Sequence, residues 1–224
     1  MINTTENYHI NEQLSRLYKE NTADFLDIWA ESFHQIPPPR INEFGIIDPH
    51  RYDTDHGILF IGRETNGWSN EDYQNGCLFR NWLYGISKNG IYGCGHIQKH
   101  PNMWYNIGRW ATLLQSKNVD LDTLACQKNE AIRALGTIAF TNVNKVRGTN
   151  TSGKEYDRLS QQESVKALLQ AEIDLIRPHT IVCCGTWHVA KDCLRNFHGK
   201  VIQMPHPGAR TSTLALLDIL NQQL

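Results

Sequence analysis

A chain of 224 residues with 22 Lys+Arg against 23 Asp+Glu carries a formal net charge of −1, too balanced for a broadly basic nucleic-acid coat, though a local basic groove stays open. At roughly 150 residues per domain the length suggests one domain, and close to 70% of the unfolded surface is buried at this size, enough for a core without staples. Hydrophobic residues at 40%, charged residues at 20%, Gly 16 and Pro 8 exclude a disordered, collagenous or low-complexity chain.

Residues 11–35 carry Leu14, Leu17, Tyr18, Phe25, Ile28, Trp29 and Phe33 at three-to-four spacing, which predicts one or two amphipathic helices. Pro37-Pro38-Pro39 stops them. Gly57 to Gly62 is a short apolar run ended by Gly, suited to a buried strand. Residues 63–101, rich in Gly, Asn, Trp and Tyr, read as an extended loop region around short helices. Met103 to Leu114 returns to helical spacing. Thr137 to Val143 reads as a strand, and Val165, Leu168, Leu169, Ile173 and Ile176 mark a helix face ended by Pro178. A strand over Thr180–Gly185, a helix from about Thr186 to Phe197, a strand over Val201–Pro205 and a helix over Leu214–Leu220 complete the chain. Alternating strands and helices imply an α/β fold with a parallel sheet covered on both faces. Ligands in such sheets sit beyond the carboxyl ends of the strands. Those ends are predicted at Gly62–Gly67, Asn142–Arg147, Gly185–His188 and His206–Arg210, and all four are rich in polar residues.

No run of about 18 apolar residues occurs, which argues against a membrane span. The first twenty residues lack an apolar stretch behind a basic start, so no secretory leader is expected. Of six cysteines, Cys183 and Cys184 sit inside an apolar run, where a buried free thiol is the expected state. A reduced, cytoplasmic protein follows as the expectation. Cys94, His96 and His100, with Cys77 upstream, have a spacing that fits no common zinc site.

The strand ends resemble the uracil-DNA glycosylase superfamily. Gly62-Arg63-Glu64-Thr65-Asn66-Gly67 is similar to its first motif, of the G-Q-D-P-Y-H or G-x-x-P-G type. Thr141-Asn142-Val143-Asn144-Lys145-Val146-Arg147 resembles the T-N-V-x-K-x-R stretch of its iron–sulfur class, and His206-Pro207-Gly208 its H-P-S motif. Leu168 to Gly185 is similar to the helix and strand of that class, and Gly76-Cys77-Leu78-Phe79 to a G-L-C-F run that supplies a stacking Phe. The resemblance covers roughly residues 57–210. It implies a three-layer α/β/α fold with a central, mostly parallel four-stranded sheet. An N-terminal helical segment over 1–40 would precede the core, and a loop-rich insertion at about 67–101 would interrupt it. The first motif lacks the usual Pro, has Glu64 for Asp and Asn66 for Tyr; the third has Gly208 for Ser. No C-x-x-C occurs, so no iron–sulfur cluster is expected; no other cofactor or metal is expected either, with zinc on Cys94, His96 and His100 left open.

By that resemblance the expected activity is monofunctional excision of a flipped pyrimidine from DNA, leaving an abasic site. A carboxylate must orient water and offset charge on an oxocarbenium-like sugar, and a donor must stabilise the departing base. Glu64 is the candidate carboxylate and His206 the candidate donor, with His188 second choice. Asn142 is the candidate base reader, since a carboxamide offers one donor and one acceptor; flipped, it suits cytosine as well as uracil, and Asn144 is its fallback. Phe79 is the candidate stacking platform, with Trp68 and Tyr73 competing. Arg210, Lys145, Arg147, Lys154 and Arg158 are candidate DNA contacts. Asn66, shorter than the family's Tyr, suggests a pocket that tolerates a C5 substituent, such as the hydroxymethyl or glucosylated cytosine of phage DNA, and hence a defence role. Plain uracil is the alternative base. A DNA-binding monomer is expected. A nucleic-acid-binding member with altered catalysis is the alternative from another class. A nucleotide-binding enzyme sharing only the sheet is disfavoured by the absence of phosphate-loop motifs.

Overall fold

The structure, a computed structural model, describes residues 2–64, 79–90, 101–116, 119–146 and 153–224. A long helix α1 (Thr4–Phe33) opens the chain. Its Asn3 side chain accepts the Glu6 N–H, and His34 ends it in the left-handed region. Strand β1 (Gly45–Ile46) and strand β2 (Ile58–Gly62) follow. Helices α2 (Phe79–Asn89), α3 (Pro101–Gln115), α4 (Leu121–Cys126) and α5 (Lys128–Ala134) lead to strand β3 (Ala139–Asn142). Helices α6 (Lys154–Ser160) and α7 (Glu163–Ile176) precede β4 (Thr180–Cys184). Helix α8 (Trp187–Cys193), strand β5 (Lys200–Met204) and helix α9 (Thr213–Asn221) end the chain.

Among the described residues the sheet has five strands in the order β1-β3-β2-β4-β5. β3, β2, β4 and β5 run parallel, with Gly62 level with Asn142 and Cys184 level with Met204. Every residue of β2, β3 and β4 is buried, as expected of strands covered on both faces. The four-stranded expectation is corrected by β1, which pairs antiparallel with β3. Two residues are too few to show alternation. The β1 edge is closed by a side chain, for Asn11 Nδ2 donates to the Ile46 carbonyl at 2.9 Å while its Oδ1 accepts the Ile46 N–H at 3.0 Å. An amide thus stands in for the missing neighbour strand.

The helices fall into two groups by contact, α1, α6, α7 and α8 in one, and α2, α3, α4, α5 and α9 in the other. Right-handed crossovers from β2 to β3 and from β3 to β4 run in opposite directions along the sheet, which places the groups on opposite faces. One hydrophobic cluster runs from Ile10 of α1 to Leu220 of α9. It takes in Phe79, Trp82, Leu83 and Ile86 of α2, so a helix within the stretch expected as loop around short helices supplies core. Cys183 and Cys184 are buried free thiols as expected, and burial pushes Cys183 up to about 12. Among the described residues no helix is long and apolar enough to cross a membrane.

α3 and α5 approach so closely that a Cβ on Gly108 would fall 1.8 Å from the Ala131 carbonyl oxygen. A backbone atom cannot swing aside as a side chain can. Gly108→Ala is therefore expected to destabilise the fold by about 1–3 kcal/mol, the usual cost of overpacking, read from the urea midpoint at constant slope.

Candidate active site

The four parallel strands deliver their carboxyl ends to one edge of the sheet. The chain leaves β2 toward β3 and leaves β4 toward β5, in opposite directions, so the switch point of the sheet, the crevice position where ligands of open α/β sheets bind, falls between β2 and β4 at that edge. Glu64 follows β2, Asn142 ends β3, Gly185 and Thr186 follow β4, and His206 follows β5. The strand order places Glu64, Asn142, Asn144 and His206 at the same carboxyl edge of the sheet. At about 4.8 Å per strand, β3 and β5 lie roughly 14 Å apart across the sheet.

Pairing continues past the strand ends. The Val143 N–H donates to the Gly62 carbonyl at 2.9 Å and the Asn144 N–H to the Arg63 carbonyl at 2.8 Å. These bonds hold the Glu64 segment beside the Asn142–Asn144 turn. Glu64 is 7% exposed, a carboxylate at the mouth of the sheet rather than in solvent. The Asn142 carboxamide lies across Gly62, where an added Cβ would fall 2.3 Å from its Oδ1. Gly62 therefore keeps the space that this side chain occupies. Asn144 Oδ1 accepts the Val146 N–H at 3.0 Å. That bond identifies the carbonyl side of the amide and makes Asn144 a turn former.

His206 is oriented through its backbone neighbourhood. The Gly208 N–H donates to its Nδ1 at 3.1 Å, so a neutral ring carries its proton on Nε2. The Pro207 carbonyl accepts from buried Asn106 Nδ2 at 2.8 Å, and Arg109 Nη1 donates to Asn106 Oδ1 at 3.3 Å. α3 thus braces the His-Pro loop. Asn106 was not singled out in the sequence, and a polar residue on the apolar face of a predicted helix is the signal that points to it. Across the crevice, Gly185 adopts φ +72, which favours glycine. Its N–H donates to the Met204 carbonyl at 2.8 Å, and Thr186 Oγ1 donates to the Ile61 carbonyl at 2.9 Å.

Two expected roles are corrected. Lys145 does not face DNA; it is fully buried and its Nζ pairs with Glu172 Oε2 at 2.6 Å. A charge in that position is held by its partner and has no path to phosphate. Phe79 is 2% exposed and its ring meets those of Phe44, Trp82, Trp104 and Phe140 at centroid distances of 5.1–6.2 Å. It is core packing rather than an open platform. Arg210, Lys154 and Arg158 are exposed and His188 is exposed with its ring 6.3 Å from that of Tyr156. Asn66, Trp68, Tyr73, Cys77, Cys94, His96, His100 and Arg147 lie outside the described residues.

Arg63 adds a cation beside Glu64. Its guanidinium carbon sits 4.4 Å over the ring of Tyr156, whose buried phenol is pushed up by burial. Compared with protein-family models and with curated proteins, the chain matches none.

Proposed function

We propose that the protein is a monofunctional DNA glycosylase, similar to the uracil-DNA glycosylase superfamily, that hydrolyses the N-glycosidic bond of a flipped pyrimidine. The observation that carries this reading is the presence, at one carboxyl edge of the sheet, of a buried Glu64, the Asn142 carboxamide and an imidazole whose Nδ1 accepts a backbone N–H. In the proposed reaction the bond from C1′ to the base nitrogen breaks and its electron pair leaves with the base. His206 Nε2–H stabilises the negative charge on the base oxygen, and Glu64 offsets positive charge on the sugar. Glu64 orients the water whose oxygen bonds to C1′. The water's proton is released through the carboxylate, leaving free base and an intact abasic strand. Asn142 reads the pyrimidine edge, and exposed Arg210 and Lys154 contact phosphate. The protein acts as a cytoplasmic monomer without a cofactor. Its pocket accepts a C5 substituent, and a role against phage with modified DNA follows.

The reading is tested with oligonucleotides carrying uracil, a thymine mispair, 5-hydroxymethylcytosine or its glucosylated form, each followed by alkali cleavage. Alkali-labile sites at one or more of these bases are expected, and none at any of them would remove the assignment. Release of uracil alone would remove the C5 proposal. Borohydride should trap no covalent adduct, because a lyase needs an accessible amine of lowered pKa and Lys145 is enclosed against Glu172.

A further inference from the structure

Behind the carboxyl edge, three segments distant in sequence close on one buried charge. Lys145 Nζ donates to Glu172 Oε2 at 2.6 Å, to Thr141 Oγ1 at 2.7 Å and to the Asn142 carbonyl at 2.5 Å. Three acceptors match the three ammonium protons. Thr141 Oγ1 in turn donates to Glu172 Oε2 at 3.0 Å, and the Tyr18 hydroxyl donates to Glu172 Oε1. The rings of Phe44 and Tyr18 lie 5.4 and 6.0 Å from the ammonium. Lys145, Glu172 and Thr141 are all fully buried. The network joins α1, the end of β3, the turn after it and α7.

Stability alone is a weak reason for such an arrangement. Desolvating two ions costs as much as their attraction returns, and apolar replacements of similar volume are often as stable or more so. What an apolar pair cannot do is hold a specific carbonyl. The carbonyl held here belongs to Asn142, the last residue of β3 and the one whose carboxamide lies across Gly62. The same turn is tied again by Asn144 Oδ1 to the Val146 N–H at 3.0 Å and by the Asn42 N–H to the Lys145 carbonyl at 2.7 Å. The Lys145 ammonium acts directly on the peptide plane that follows Asn142, and the other bonds hold the Lys145–Val146 peptide and the Glu172 carboxylate that keep the ammonium in place.

We propose that Lys145 and Glu172 are positioning residues that fix the peptide plane after Asn142 and so set the direction of its carboxamide in the crevice. The inference rests on Asn142 as the base reader for its effect on catalysis, but its structural half does not.

The test replaces the pair by apolar side chains of similar length, with Lys145→Met and Glu172→Leu in one variant. Tyr18→Phe is added to remove the hydroxyl that would lose its acceptor. Protein labelled with ¹⁵N at asparagine gives a side-chain amide resonance for Asn142, assigned by its disappearance in Asn142→Asp. In the folded triple variant that resonance is expected to shift and its hydrogen exchange to quicken. The rate of base release should fall by about 10-fold or more, as small misplacements near a reacting centre do, with DNA affinity nearly unchanged. Thr141→Val, nearly isosteric, removes only the bridging hydroxyl and should move the same resonance less, so the proposal stays testable if the triple variant does not fold. An Asn142 resonance unchanged in both variants would overturn the inference. A resonance that moves, in a protein whose wild type releases no base, would sink the glycosylase reading and leave the positioning role standing. An unmoved resonance beside active wild type would do the reverse.

Discussion

Glu64→Gln is expected to lower the single-turnover rate of base release by about 10²-fold or more, and His206→Ala by a comparable factor, while DNA affinity falls much less. The glutamine keeps the shape of the glutamate, so the loss measures charge rather than packing. At 7% exposure Glu64 is shielded from bulk water, where a carboxylate acts more strongly on a developing positive charge than it would in solvent. His206→Ala removes the Nε2–H whose presence is dictated by the Gly208 N–H bond at Nδ1. It leaves the loop itself braced by Asn106 on the Pro207 carbonyl, so the fold should survive the change. Both effects belong in the chemical step, and rates measured with enzyme in excess over labelled oligonucleotide isolate that step. Near wild-type rates in both variants would dismiss this pair from the chemistry.

Lys145→Ala is expected to lower stability by about 3–5 kcal/mol, the usual cost of leaving a buried charge without its partner. For a chain of this length that is a fall of about 6–20 °C in Tm. The ammonium is lowered by burial and drawn back up by Glu172, and removing it leaves Glu172 with only the Tyr18 and Thr141 hydroxyls as donors. Calorimetry of the single variant beside the Lys145→Met, Glu172→Leu, Tyr18→Phe protein separates the two costs. The single variant should be the less stable of the two, because the second removes the stranded charge together with its partner. A Lys145→Ala protein as stable as wild type would show that water or a rearranged side chain compensates for the pair.

Local patterns carried much of this fold. β2, β3, β4 and β5 lie within two residues of the apolar runs that predict them, because a strand covered on both faces must be apolar at every position. The polar residues beyond those runs were legible for the same reason, since each apolar run stops at the carboxyl edge of the sheet. Glu64, Asn142 and His206 were named on that ground together with the resemblance, and the strand order sets them around one crevice.

Other features depended on partners distant in the chain. β1 has two residues, too short for a period, and exists because Phe140 and Asn11 meet its two sides. Phe79 in a motif-like run reads as a platform, yet four rings from α2, α3, β3 and the segment before β1 enclose it. Lys145 sits among polar residues and reads as a surface charge. Its burial is decided by Glu172, 27 residues away on α7, and by Tyr18 on α1. A charge goes inside only where a counter-charge and enough acceptors already wait. Apolar runs and helical spacing along the chain therefore determined the four parallel strands and the longer helices, while the fate of each polar group within them was settled only when the tertiary contacts supplied, or withheld, its partner.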